Sequence, residues 1–221
     1  MDKRYTVARL SRTFETQYYN LNESIKKYYM DNGIGCLAAK ISNYNDAISK
    51  YSGEGYECLD HEFYSYLDRN LQYIPENVPI LLQIYGCKLK DEQKASIVEN
   101  IREHYQFKLG EVIEANKEKF KKIGVFLILA MIFFPLSVIT EEKYEMLSNF
   151  LNLAFWFYGS SVVTYFAVEL RGAKKARARA GQFANMYITI DEKLNKDPIT
   201  DKDKQIITDY VKQANIKDGN Q

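Results

Sequence analysis

The side chains in this chain that could do chemistry are few and scattered. Its 221 residues include three cysteines, Cys36, Cys58 and Cys87, and two histidines, His61 and His104. Cys58 and His61 have a C-x-x-H spacing, and with Cys36 and Cys87 they could make a Cys3His zinc site. Structural zinc sites bring their ligands in close pairs on tight loops, whereas Cys36 and Cys87 are solitary. The expectation is buried free thiols and no metal site. A thiol nucleophile needs a histidine within reach, but three cysteines and two histidines in any chain permit that pairing. His104 beside Glu103 reads as a half-exposed helix residue. "SGEG" at 52–55 and "GIG" at 33–35 match neither a P-loop nor a dinucleotide fingerprint. Asp191 and Glu192 are adjacent, so on a helix they diverge rather than converge. The chain therefore reads as non-enzymatic, with no catalytic residue and no cofactor.

One cluster stands out. "RGAKKARARAG", Arg171 to Gly181, holds Arg171, Lys174, Lys175, Arg177 and Arg179 and no acid. Net charge is only +1, with Lys+Arg and Asp+Glu balanced 18 to 18 over residues 1–122, so the block is a local feature. Such a block can bind nucleic acid, bind anionic lipid, or mark one side of a membrane. No aromatic side chain is interleaved for base stacking, and the cations begin within three residues of a long apolar segment. Lipid phosphates are the nearest partners, each cation contributing about 1 kcal/mol near an anionic surface. No nucleic-acid partner is expected.

Two apolar segments explain the position of the block. Ile123–Thr140 is 18 residues without a charge, and Met146–Val168 is 23. At about 1.5 Å per helical residue they reach roughly 27 and 34 Å, enough to cross a bilayer core. The alternative is a pair of buried core helices in a soluble protein. Lys117, Lys119, Lys121 and Lys122 precede the first segment and the basic block follows the second, while the connection "EEKYE" is short and acidic. Cations concentrate on the cytoplasmic side. This predicts a plasma-membrane hairpin with both termini cytoplasmic and residues 141–146 outside. Lys119, Lys121, Lys122 and the five cations of the block are the predicted headgroup contacts. "MDKRYTVARLSRTF" lacks the apolar core of a cleavable signal peptide.

Pro135 inside the first segment removes a backbone donor and favours a kink. The second carries Asn149, Asn152, Ser160, Ser161 and Thr164, with Gly159 and Ala154 permitting close approach and Trp156 near its middle. Small and weakly polar residues join spans to each other, so Pro135, Asn152, Trp156, Gly159, Ser160 and Thr164 are candidates for packing or pore lining, and a homo-oligomer is expected. Neither segment holds Asp, Glu, Lys, Arg or His, which argues against proton relays and ion-coupled transport.

The remaining chain reads as helical. Val7, Leu10, Phe14, Tyr18, Leu21, Ile25 and Tyr28 form a helical stripe, with "DNGIG" as its stop. Leu37, Ile41, Tyr44, Ile48 and Tyr51 suggest a second helix, and Phe63, Leu67 and Leu71 a third near 59–72. Residues 78–85 fit a strand or a short helix; with no second convincing strand to pair, a helix is expected. A long helix over 91–122 enters the first apolar segment. Ala173, Ala176, Ala180, Phe183, Tyr187, Ile190 and Leu194 extend the second outward as a heptad-like stripe packed antiparallel against it. Thr200 caps a last helix. The expected fold is all-α: a cytoplasmic helical domain (1–90), a juxtamembrane helix (91–122), spans at 123–140 and 147–170, a basic juxtamembrane helix (171–195) and a C-terminal helix and tail (196–221). The expected role is an oligomeric membrane anchor, scaffold or signal-coupled effector that meets a cytoplasmic protein partner. A gated pore and a membrane-tethered enzyme are the alternatives.

Overall fold

The computed structural model describes residues 21–53 and 55–218. It is mostly helical, but it is not all-α. A four-stranded sheet lies at its centre, built from β1 (Met30–Asp31), β2 (Ile34–Lys40), β3 (Ile80–Tyr85) and β4 (Tyr187–Asp191) in that order. β1 is antiparallel to β2, whereas β2, β3 and β4 are parallel.

The sheet is formed from segments that mimic helices in sequence. In β2, Leu37 and Ala39 face one layer of the core and Ile34 and Cys36 the other. In β3, Ile80, Leu82 and Ile84 face the first layer and Leu81 the second. Parallel strands covered on both faces lose the polar alternation that marks a half-buried strand. The expected helix over 37–51 is therefore β2 followed by a short 3-10 turn at Tyr44–Asp46, and residues 80–85 are a strand that has its partners on both sides. The end of the heptad-like stripe is also a strand: Ile188 and Ile190 of β4 pack into the first layer. "DNGIG" does not stop a helix. Asn32 (φ 44°) and Gly33 (φ 78°) make the two-residue turn between β1 and β2, the backbone that Asn-Gly hairpins require.

Helices cover both faces. α1 (Leu21–Tyr29) precedes β1, which takes Met30, and residues 5–20 of the expected 5–30 helix lie outside the described residues. α2 (His61–Leu71) starts where Asp60 accepts from the backbone N–H of Glu62 and Phe63, and packs Phe63, Leu67 and Leu71 on the sheet. α3 (Asp91–Thr140) adds Ile97, Ile101 and Tyr105 to that layer. On the opposite face α6 (Asp201–Asp218) inserts Ile207 against Ile34 and Leu81, and Thr200 and Asp203 exchange hydrogen bonds at its start.

Parallel strands need a crossover, and the one between β3 and β4 is very long. α3 leaves the sheet and runs 50 residues, about 75 Å, without a break at Gly110 or Pro135. Residues 141–144 turn the chain. α4 (Glu145–Thr164), a π-helical turn (Tyr165–Glu169) and α5 (Leu170–Ala184) return it along α3 to β4. The two apolar segments are the distal half of this crossover, so the sheet grips the hairpin from both of its helices.

Candidate functional site

The hairpin is held by a seam of its own. On α4 and the π turn the residues turned inward are Ser148, Leu151, Val162 and Tyr165, and on α3 Ala130 and Ser137 are buried. Tyr158 stacks on Phe133 at 5.7 Å and tilts against Phe126 at 5.4 Å, and Phe155 meets Phe134 at 5.1 Å. Near the turn, Ser148 Oγ donates to the Ser137 carbonyl at 2.8 Å, and Ser137 Oγ donates to the Phe134 carbonyl at 2.8 Å. The Ser137–Ser148 contact was not anticipated. Its sequence signal is a serine in each of two apolar stretches, at matching distances from the turn.

The candidates for packing or pore lining lie mostly away from this seam. Asn152, Trp156, Ser160 and Thr164 are exposed, as is Asn149, and together they form a stripe on the side of α4 facing away from α3. Ser160 and Ser161 satisfy their hydroxyls on the Phe157 carbonyl of the same helix. Gly159 is half-buried beside the Phe155 ring. Pro135 lies inside α3. The apolar surface is uncovered: within each hydropathic window only 11% of the residues are buried, and Ile139, Phe150 and Trp156 are 75, 67 and 65% exposed. Two helices of this protein are thus long and apolar enough to cross a membrane, and their apolar segments are largely exposed.

A basic collar joins hairpin and sheet. Lys119 pairs with Glu169 at 3.6 Å, and Asn116 donates to the Ala173 carbonyl at 3.4 Å, which fixes the level of the two helices. Arg171 lies between these contacts. Lys121, Lys122, Arg171, Lys174 and Arg177 are exposed around the collar. Lys175 reaches Glu76, in the loop before β3, at 3.1 Å. Arg179 departs from the expected headgroup role. It lies about 16 Å along the helix beyond Val168, the end of the apolar segment, and its guanidinium donates to the Leu71 carbonyl at 2.8 Å, to the Ile74 carbonyl and to Gln182. Leu71 ends α2 and Ile74 lies in the turn just after it, at a helix C-terminus whose dipole favours a cation. Gln182 adds bonds to the carbonyls of Pro75 and Val78, both at 2.7 Å. Burial lowers the Arg179 pKa, while Glu76 opposes the shift.

The scattered reactive groups stay apart. Cys36 lies under the α6 side of the sheet, Cys87 at the end of β3, and Cys58 is exposed near Ser52. His61 turns to the Tyr64 hydroxyl. Among the described residues no group of three or more His, Cys, Asp or Glu could hold a metal ion. Burial pushes the Cys36 thiol up to about 11, with Asp31 adding to the shift. His104 is half-buried between Tyr64 and Tyr105, its Nε2 without a partner, and burial holds its pKa below the usual imidazole value. Tyr105 donates to Asp68, which Lys108 also engages, so this cluster ties α2 to α3. Asp191 ends β4, and Glu192 faces Lys88 at 3.8 Å.

No known protein family, curated protein or solved structure matches the chain.

Proposed function

We propose that the protein is a two-span, non-enzymatic membrane anchor or signal-coupled effector. Its α/β domain and both termini lie in the cytoplasm, and the hairpin sits in the plasma membrane. The observation that carries this reading is the uncovered apolar surface of the two helices, 11% buried in each window, with lysine and arginine gathered at one end. Water would not tolerate so continuous an apolar surface. Lys119, Lys121, Lys122, Arg171, Lys174 and Arg177 meet anionic headgroups at the cytoplasmic side. The hairpin acts on the domain mechanically, because its two helices end at adjacent strands β3 and β4.

The outward stripe of Asn149, Asn152, Trp156, Ser160 and Thr164 supports a homo-oligomer. An amide facing hydrocarbon lacks partners, and a second copy offers an identical donor and acceptor. The same stripe favours a second reading, in which the oligomer encloses a polar pore. Expression of the full chain in cells tests both. Protein that remains in membranes through an alkaline carbonate wash supports the anchor, and release into the wash refutes it. A collapse of membrane potential on expression, abolished by Asn152→Leu, would select the pore.

A further inference from the structure

The groove where the helix pair meets the sheet is a ligand site with a defined chemistry. A cavity of about 610 Å³ opens there, within the size range of small-molecule pockets, roughly 300–1,000 Å³. Four elements wall it: the loop before β3, α3, α5 and α6. Leu109 and Ile113 of α3 and Val211 of α6 supply an apolar wall. Lys174 and Arg177 of α5 and Lys212 of α6 line the same space. Glu76 is the acidic residue lining it, and it is already engaged by Lys175 at 3.1 Å. Lys174 and Arg177 have no ion-pair partner among the described residues, and Lys212 has only Asp209, one turn away at 3.8 Å. Like charges around an apolar recess repel one another until an anion enters.

We propose that this cavity binds an anionic amphiphile, a phosphate ester on an apolar body. Lys174, Arg177 and Lys212 hold the phosphate, with the Arg177 guanidinium offering the planar fork that suits phosphate oxygens. Leu109, Ile113 and Val211 take the body. Occupancy joins α6 and the loop before β3 to both long helices, so the ligand braces the domain against the hairpin. The phosphate ester can be a soluble metabolite or a lipid headgroup drawn from the bilayer. All six residues lie outside the apolar windows, so this inference does not rest on the membrane reading.

The test is a calorimetric titration of the full chain in phosphatidylcholine nanodiscs with 1-naphthyl phosphate. The expected result is saturable binding that weakens at least tenfold in the Lys174→Gln/Arg177→Gln variant. Leu109→Gln should weaken 1-naphthyl phosphate and leave the weaker competition by inorganic phosphate unchanged. Nanodiscs containing phosphatidic acid separate the sources: binding suppressed there identifies a headgroup occupant, and binding retained identifies a soluble one. Absence of saturable binding in phosphatidylcholine discs, or equal binding by the wild type and the double variant, overturns the proposal. Repeating the titration in detergent keeps it distinct from membrane insertion, since a chain that washes out of membranes yet binds the probe refutes only the anchor.

Discussion

Arg179→Ala separates a structural clamp from a lipid contact. The wild-type guanidinium donates to the Leu71 carbonyl at 2.8 Å and to the Ile74 carbonyl, and lies 4.9 Å from the centre of the Phe183 ring. A hydrogen bond to a charged group contributes about 1.5–3 kcal/mol. The half-buried setting lets water replace part of this, and the cation–π contact adds about 0.5–1 kcal/mol. Removing the side chain is expected to cost the sheet domain about 2–4 kcal/mol, a large share of an ordinary domain stability of about 5–15 kcal/mol. Arg179→Lys should recover less than half, because one ammonium cannot bond both carbonyls with the same planar fork. Pulse proteolysis of the full chain across a urea series measures the change. Flotation with anionic vesicles should be unaltered. A stability change below about 0.5 kcal/mol, together with lost vesicle binding, would refute this reasoning and return Arg179 to the headgroup layer.

Cys36, with its thiol raised to about 11, should resist iodoacetamide at pH 8 while the exposed Cys58 reacts, and peptide mass spectrometry after timed quenching reads the order. The folded state holds the His104 pKa below its unfolded value near 6.5, so the unfolded chain takes up the proton first. Stability is full above pH 6.5 and falls as pH drops through that value; His104→Gln should flatten the slope between pH 7 and 5 in urea melts. Lys108 reinforces the His104 shift, whereas Asp68 and Glu111 oppose it. Gly35→Ala would place a Cβ 2.3 Å from Ile74 Cγ2, and such overpacking should cost about 1–3 kcal/mol, read as a lower Tm.

The long helices were legible because their signals are long. Eighteen and 23 uncharged residues, the flanking lysines and the acidic turn leave little choice of structure. α2 and α6 were legible from Phe63, Leu67 and Leu71 and from the cap at Thr200. The sheet was not, because each strand concealed the partner that would have justified the next. Residues 78–85 had strand character, but Leu37 of β2 and Ile41 just after it stand at helical spacing, and β4 lay inside a stripe continuous with α5. Pairing between residues 81 and 187 is non-local, and no local pattern reports it. The site divided in the same way. The exposed collar cations follow from position along the chain, whereas Arg179 differs from Arg177 only through the end of α2, more than 100 residues away in sequence. The polar residues of α4 are legible in the sequence as a stripe, but which side of the helix faces α3 is decided by Ser137, Ser148 and Tyr158.

The most direct test of the anchor is site-specific labelling of the turn. A Glu142→Cys variant, with Cys36 and Cys87 replaced by serine and the exposed Cys58 kept, is treated in intact cells with a membrane-impermeant maleimide. The account predicts that position 142 is labelled from outside, whereas Cys58 is labelled only after lysis. Labelling of both positions from the same side would contradict a hairpin that crosses the membrane.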